Sequence, residues 1–222
     1  MIRKLSIKKI LFSLSGILSV CIGVAFNNNT LLGNDPIGMF YDGLRIFFNF
    51  ERSQLGLVSN FINFFLLIIL FIFGKKYFNI GTFLYLIPYG LFVSIGSYLY
   101  SSFFDYPNLI FRIFMGIIGC SLYYIGIGLF ISCNIGTDPF NGLTFTLRDK
   151  LGWSLRKTKI ALDVCLTIVG FLLGGTLGII TVFTAFTTGP AIQYLSPKFS
   201  KIFHESQQDT KSDRKNISFE DN

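Results

Sequence analysis

Two aspartates, Asp35 and Asp138, occupy Gly-x-Asp-Pro motifs in a chain with few charged residues. The motifs read Gly-Asn-Asp-Pro at 33–36 and Gly-Thr-Asp-Pro at 136–139. An aspartate caps the helix that such a proline begins, because its carboxylate accepts hydrogen bonds from free N–H groups of the first turn. In apolar surroundings the carboxylate is equally a candidate ligand for a small solute or ion. Both interpretations stay open for each motif.

Five other polar residues join the two aspartates as candidate substrate-binding residues: Arg45, Asn60, Asn141, Arg148 and Asp163. We expect Arg45 and Arg148, with the capped helix starts, to line the entrances of a central cavity. Asn60 and Asp163 lie early in the apolar segments that follow. The alternative for Asp163 is local pairing with a neighbouring basic residue.

The remaining chemistry-bearing residues exclude several function classes. The single histidine, His204, lies in a polar tail, and the four cysteines have no paired metal-ligand spacing. No nucleophile, base and orienting group are found together, so we predict no enzyme activity, no catalytic residues, no metal site and no cofactor. The net charge of +7 lies in short segments that flank apolar stretches, which excludes a nucleic-acid partner.

Composition places these residues in a membrane protein. Hydrophobic residues make up 51% of the 222 positions, charged residues 14%, and the mean hydropathy is +0.58. A transmembrane helix needs about 20 mostly apolar residues. The uncharged stretches predict six spans in an all-α fold, near 10–26, 55–73, 80–100, 109–133, 158–177 and 179–195. The lipid bilayer and a small solute or ion are the expected partners.

Basic residues in the connections predict the orientation. Six spans place 16 Lys and Arg residues on one side of the membrane and 3 on the other. Positive residues concentrate on the cytoplasmic side, so both termini are expected in the cytoplasm of a multi-pass cell-membrane protein. The first span resembles a signal peptide, but it has an internal counterpart at 113–129 and is expected to be retained. The polar tail, 201–222, is expected to be disordered.

An internal repeat divides the chain. A shift of 103 residues aligns 16–45 with 119–148 at eight identities in 30 positions, including both Asp-Pro pairs. Residues 1–105 and 106–200 then form two repeats of three spans each. An odd number of spans inverts the second repeat relative to the first, an arrangement that recurs in secondary transporters.

A short amphipathic helix is predicted after each motif. Apolar residues recur at helical spacing from Pro36 to Phe48, while the opposite face carries Gly38, Asp42 and Arg45. The second motif is followed by the same spacing. Such helices are too short to span a bilayer, so we expect them at the interface or partly inserted.

Three stretches carry a family resemblance. They are Gly-Ile-Gly-Leu-Phe-Ile-Ser-Cys-Asn-Ile-Gly-Thr-Asp-Pro-Phe-Asn at 126–141, Gly-Trp-Ser-Leu at 152–155, and Gly-Gly-Thr-Leu-Gly at 174–178 with Gly189-Pro190. The chain resembles the YczE/YyaS/YitT group of bacterial integral membrane proteins over nearly its whole length except the tail. Membership implies a multi-pass bacterial membrane protein and says little about its chemistry.

Two functions remain open from the sequence. The first is an inverted-repeat permease that moves a small solute or ion by rocking one half against the other. The alternative is an accessory protein that supports a membrane-associated enzyme or assembly. A polar cavity lined by Asp35, Asn60, Asp138 or Asp163 discriminates between them. If the charge of a motif aspartate matters, we expect Asp138→Asn to impair function more than Asp35→Asn, because the second motif has the fuller pattern.

Overall fold

The computed structural model describes residues 7–103 and 108–220, with side chains through residue 202. All regular structure in those residues is helical. The elements are α1 (Ile7–Thr30), α2 (Pro36–Phe47), a 3₁₀ turn (Arg52–Gln54), α3 (Leu55–Phe73), α4 (Ile80–Phe103), α5 (Leu109–Ser132), α6 (Pro139–Leu151), α7 (Leu155–Leu172) and α8 (Ile179–Glu220).

Four of these segments are long and apolar enough to cross a bilayer: α1, the 3₁₀ turn with α3, α4 and α5. The protein is therefore an all-helical, multi-pass membrane protein, as the composition predicts. The α7 helix is less apolar, because four charged residues fall within its first nine positions. The α8 helix begins apolar and continues into polar sequence.

Helix starts follow local sequence signals. Pro36 and Pro139 are the first residues of α2 and α6, as the Asp-Pro motifs predict. Gly152 ends α6 with a left-handed backbone, φ 65°, which glycine adopts without steric cost. The predicted short helices are therefore both present.

Helices from the two halves of the chain pack directly on each other. The largest interface joins α1 to α5, α2 packs on α7, and α3 packs on α6. Glycines permit the close approach: a Cβ atom added to Gly43 of α2 would collide with the backbone of Gly170 in α7. Large apolar side chains on the outer surfaces of α3, α4 and α7 remain exposed, as lipid-facing residues do.

Two features differ from the sequence expectations. The face of α2 that carries Gly38, Asp42 and Arg45 is buried because α7 packs on that side, whereas the sequence placed Arg45 at a cavity entrance. The backbone of α8 continues as helix to Glu220 through the segment expected to be disordered. No glycine or proline follows Pro197, so no residue of a helix-breaking type ends the helix earlier. The last two positions, 221–222, lie outside the described residues.

Candidate functional site

A largely enclosed cavity lies where the two Asp-Pro motifs meet. Its volume is about 40 Å³, counted as space open to the centre of a water molecule. This is room for a few waters or one small ion, since a single water needs about 10–15 Å³ on that scale. Asp35 and Asp138 both line it, with residues of α1, α2 and α4 to α8. The structure thus brings together two carboxylates that lie 103 residues apart in the chain.

Asp138 acts as a helix cap. Its Oδ1 accepts a hydrogen bond from the backbone N–H of Asn141 at 3.0 Å, and its Oδ2 accepts one from the Asn141 side-chain amide at 2.5 Å. Both oxygens therefore have neutral donors. The capping interpretation holds for this motif, and Asn141 lies in the cavity wall as a partner of the cap.

Asp35 precedes α2 in the same way but makes no capping hydrogen bond through its side chain. Its Oδ2 accepts a hydrogen bond from the Tyr123 hydroxyl at 3.3 Å, and its Oδ1 has no hydrogen-bond partner of good geometry among the described residues, although the N–H groups of Ile37 and Gly38 lie near the carboxylate. Only 4% of the residue is exposed. A buried carboxylate oxygen without a donor is energetically costly. Asp35 is therefore the motif aspartate whose carboxylate is less completely hydrogen-bonded.

Tyrosines form much of the remaining wall: Tyr41, Tyr85, Tyr89 and Tyr123. The rings of Tyr85 and Tyr89 stack with centroids 5.1 Å apart, and Tyr41 meets Tyr89 edge to face at 6.1 Å. The Tyr41 hydroxyl donates a 2.9 Å hydrogen bond to Asn63, which fixes its ring. The site therefore combines carboxylates with aromatic faces.

One basic side chain, Lys159 of α7, also lines the cavity. Its Nζ donates to Oδ1 of Asp163 at 2.5 Å, one turn further along the helix. Asp163 therefore forms the local ion pair that the sequence offered as the alternative to a binding role. The two opposite charges offset each other, so this pair adds little net charge beside the cavity.

The predicted role of Arg45 at a cavity entrance is wrong. Arg45 is 8% exposed and binds Asp42, which is 2% exposed, through its Nε and Nη2 at 3.0 and 2.8 Å. Its Nη1 donates to the carbonyl of Phe50, and the second oxygen of Asp42 accepts from the N–H of Thr176. Because α7 and the loop after it cover this face, the arginine is a structural partner within α2.

Two other candidates also lie away from the cavity. Arg148 donates to Asp149 and to the Tyr77 hydroxyl, so it joins α6 to the turn before α4. Asn60 accepts a 2.8 Å hydrogen bond from the backbone N–H of Gly90, where α3 and α4 approach closely. Neither residue lines the cavity, because each finds a nearer partner.

Sequence reasoning missed the tyrosines and Lys159. Tyr123 lies midway between Gly119 and Gly126 on α5, and these glycines face α1. This spacing could have identified Tyr123, because a residue between two glycines that pack on a neighbouring helix lies on the same inward-facing side of its own helix. Among the residues that the structure describes, no three His, Cys, Asp or Glu side chains group closely enough to hold a metal ion.

Comparison with known proteins places the chain in a family without assigned chemistry. A Haemophilus influenzae protein described as uncharacterized is 28% identical over 200 residues, covering 90% of this chain and 87% of that protein. The uncharacterized membrane protein YczE of Bacillus subtilis is 21% identical over 196 residues, with 87% of each chain covered. No solved structure matches the chain. The family of unknown function DUF6198 matches residues 7–197, and the protein belongs to that family.

Proposed function

We propose that the protein is a small membrane permease without enzyme activity, whose substrate binds in the cavity between Asp35 and Asp138. The single observation that carries the proposal is the meeting of both Asp-Pro motifs, with their carboxylates, at one largely enclosed cavity. Binding sites of secondary transporters lie between their repeats, at chain breaks near the middle of the membrane. Substrate recognition in this proposal depends chiefly on Asp35, because Asp138 already holds two donors.

Reciprocal contacts support the proposed inverted repeat. The 103-residue offset pairs Gly16 with Gly119 and Gly23 with Gly126. In the structure, Gly16 packs on Gly126 and Gly23 packs on Gly119. If each glycine is replaced by its equivalent in the other half, the contact of Gly16 with Gly126 becomes the contact of Gly119 with Gly23. A two-fold axis between α1 and α5 generates that relation.

The motif loops support the same symmetry. The Thr82 hydroxyl at the start of α4 donates to the carbonyl of Thr137 at 2.9 Å. The N–H of Asn34 donates to the Thr181 hydroxyl at the start of α8 at 3.2 Å. Each motif is thus held by a threonine from the other half, and Asn34 and Thr137 are equivalent under the 103-residue offset.

The proposed topology has six spans, with α7 and the first part of α8 as the fifth and sixth and both termini in the cytoplasm. The short α2 and α6 helices pack on α7 and α3 across the two halves. Rocking of these paired units would expose the cavity to one side of the membrane and then to the other. The enclosed cavity corresponds to the closed form in this cycle.

Uptake into proteoliposomes tests the proposal. Purified protein is reconstituted and challenged with a panel of radiolabelled small metabolites and ions, beside Asp35→Asn and the matched control Asp149→Asn. We expect wild-type protein and the control to accumulate at least one solute, and Asp35→Asn to lose most of that uptake. Equal uptake by Asp35→Asn would reject the site. Absence of uptake across the panel by folded protein would favour the accessory role.

A further inference from the structure

The charges around the cavity are unbalanced. Ion pairs between described residues join Arg45 to Asp42, Lys76 and Arg148 to Asp149, and Lys159 to Asp163. Neither Asp35 nor Asp138 belongs to any of these pairs. Both residues are nevertheless buried, with exposed fractions of only 4% and 7%. The cavity therefore holds two carboxylates that form no ion pair with a described residue, and Lys159, the basic residue in its wall, is paired with Asp163.

Burial makes this imbalance costly. An isolated carboxylate in an apolar interior has lost its hydration, and only a cation, a proton or strong donors compensate for that loss. Asp138 has its compensation from Asn141. Asp35 has one tyrosine donor and the nearby N–H groups of Ile37 and Gly38, and its Oδ1 makes no hydrogen bond of good geometry to any described residue. The arrangement thus favours a cation as the ligand and disfavours an anion.

The tyrosines in the cavity wall indicate which class of cation would bind. Ring faces attract cations electrostatically, and ammonium groups are among the ligands that proteins bind in this way. Tyr89 contacts both Tyr41 and Tyr85, and all three rings line the cavity that the carboxylates also line. Free space of about 40 Å³ matches an ammonium ion or the amine end of a small molecule rather than a large metabolite.

We infer that the cavity binds a small ammonium cation, either ammonium itself or a primary-amine head group, with Asp35 as the counter-ion and the tyrosines as a partial cage. The inference rests on the proposed function, because it names the substrate class of the same site. Asp138 contributes negative potential without direct pairing. Lys159 lines the same cavity and is held in place by its ion pair with Asp163.

Methylammonium is the probe for the test. The full-length protein in detergent is titrated with methylammonium chloride in a calorimeter at constant ionic strength, with potassium chloride and sodium acetate in parallel. We expect saturable binding of methylammonium and no binding of acetate. Asp35→Asn, nearly isosteric with the native side chain, should weaken binding at least tenfold, while Asp149→Asn binds as wild type.

A second pair of variants separates the ring from the hydroxyl. Tyr85→Phe keeps the aromatic face and should bind methylammonium within about threefold of wild type, whereas Tyr85→Leu should bind roughly tenfold more weakly. Melting curves of each variant show that it is folded. Equal affinity of the phenylalanine and leucine variants, or of Asp35→Asn and wild type, would overturn the inference.

The same protein in proteoliposomes distinguishes this inference from the proposed function. Asp35-dependent methylammonium binding without uptake of any solute would reject transport and retain the ammonium site. Asp35-dependent uptake of an anion or a sugar, with no methylammonium binding, would retain transport and reject the ammonium site. If folded wild-type protein bound potassium as tightly as methylammonium, the proposed selectivity of the aromatic rings for an ammonium group would be rejected.

Discussion

The Tyr77 hydroxyl donates a 2.5 Å hydrogen bond to Oδ2 of Asp149, joining the turn between α3 and α4 to the last turn of α6. Arg148 binds the other carboxylate oxygen. The Tyr77 hydrogen bond and then the guanidinium lower the pKa of Asp149 from its ordinary 3.8 to about 2. This exposed cluster links the two halves of the chain outside the cavity.

Removal of the Tyr77 hydroxyl should raise the pKa of Asp149 toward 3.8. A carboxylate with a depressed pKa in the folded state stabilises the fold above its unfolded pKa and loses that contribution as the pH falls toward 2. We therefore expect Tyr77→Phe to show a smaller loss of stability than wild type across this acidic range. The carboxyl carbon of Asp149, followed by NMR during an acid titration, reports the pKa, and an unchanged midpoint in Tyr77→Phe would contradict the assignment.

Substitution of Gly126 tests the close packing of α1 on α5. A Cβ atom at this position would lie 2.5 Å from the carbonyl oxygen of Gly16 and from the N atom of Val20. We expect Gly126→Ala to destabilise the protein by about 1–3 kcal/mol, because the backbone has no room to move locally. Gly189→Ala in α8 is the matched control, since no atom lies within 4 Å of its added Cβ. Thermal melting in detergent compares the two, and equal stability would reject the tight contact.

The two motif aspartates should respond differently to mutation. Asp138→Ala should cost about 1 kcal/mol, while Asp138→Asn should keep the cap, because Asn caps a helix about as well as Asp. At Asp35 neither change removes a capping bond. Melting curves of the four variants check this. Under the proposed function, Asp35→Asn should lose more uptake than Asp138→Asn, which is the opposite order to the one expected from the sequence.

The buried pair of Asp42 and Arg45 should contribute to folding rather than to binding. Asp42→Asn leaves the Arg45 guanidinium buried without a counter-charge, and loss of one partner of such a pair costs about 3–5 kcal/mol. Asp149→Asn, in a more exposed pair, should cost less stability than Asp42→Asn. Denaturation with SDS measures both. Similar stability of the two variants would show that burial does not strengthen the Asp42 pair.

The orientation of the protein can be tested with single cysteines. Ser53 and Lys150 are both exposed, on opposite sides of the membrane in the proposed topology. In a Cys165→Ser background, we expect a membrane-impermeant maleimide to label Ser53→Cys in intact cells and to label Lys150→Cys only after permeabilisation. The reverse pattern would invert the topology, and labelling of both in intact cells would reject it.

Local signals in the sequence determined the class of the protein and its helix starts. The long apolar stretches predicted α1, α3, α4 and α5 nearly to their observed ends, because a hydrophobic segment of that length has few other stable environments. Pro36 and Pro139 predicted the starts of α2 and α6, since proline restricts the backbone at its own position. The motif of the second half also identified the family.

Tertiary packing decided which distant residues meet at the site and which polar faces are buried. Asp35 and Asp138 share the Gly-x-Asp-Pro motif but differ three residues further on, where Asn141 satisfies Asp138 and Gly38 offers Asp35 no side chain. Only the fold brings Tyr123, 88 residues away, to Asp35. Arg45 does not line the predicted site, because it pairs with Asp42, one turn away, on a face that α7 buries. Such outcomes depend on how closely helices distant in the chain approach one another. Glycine spacing permits that approach, but only the packed fold fixes its register and so the partner of each buried charge.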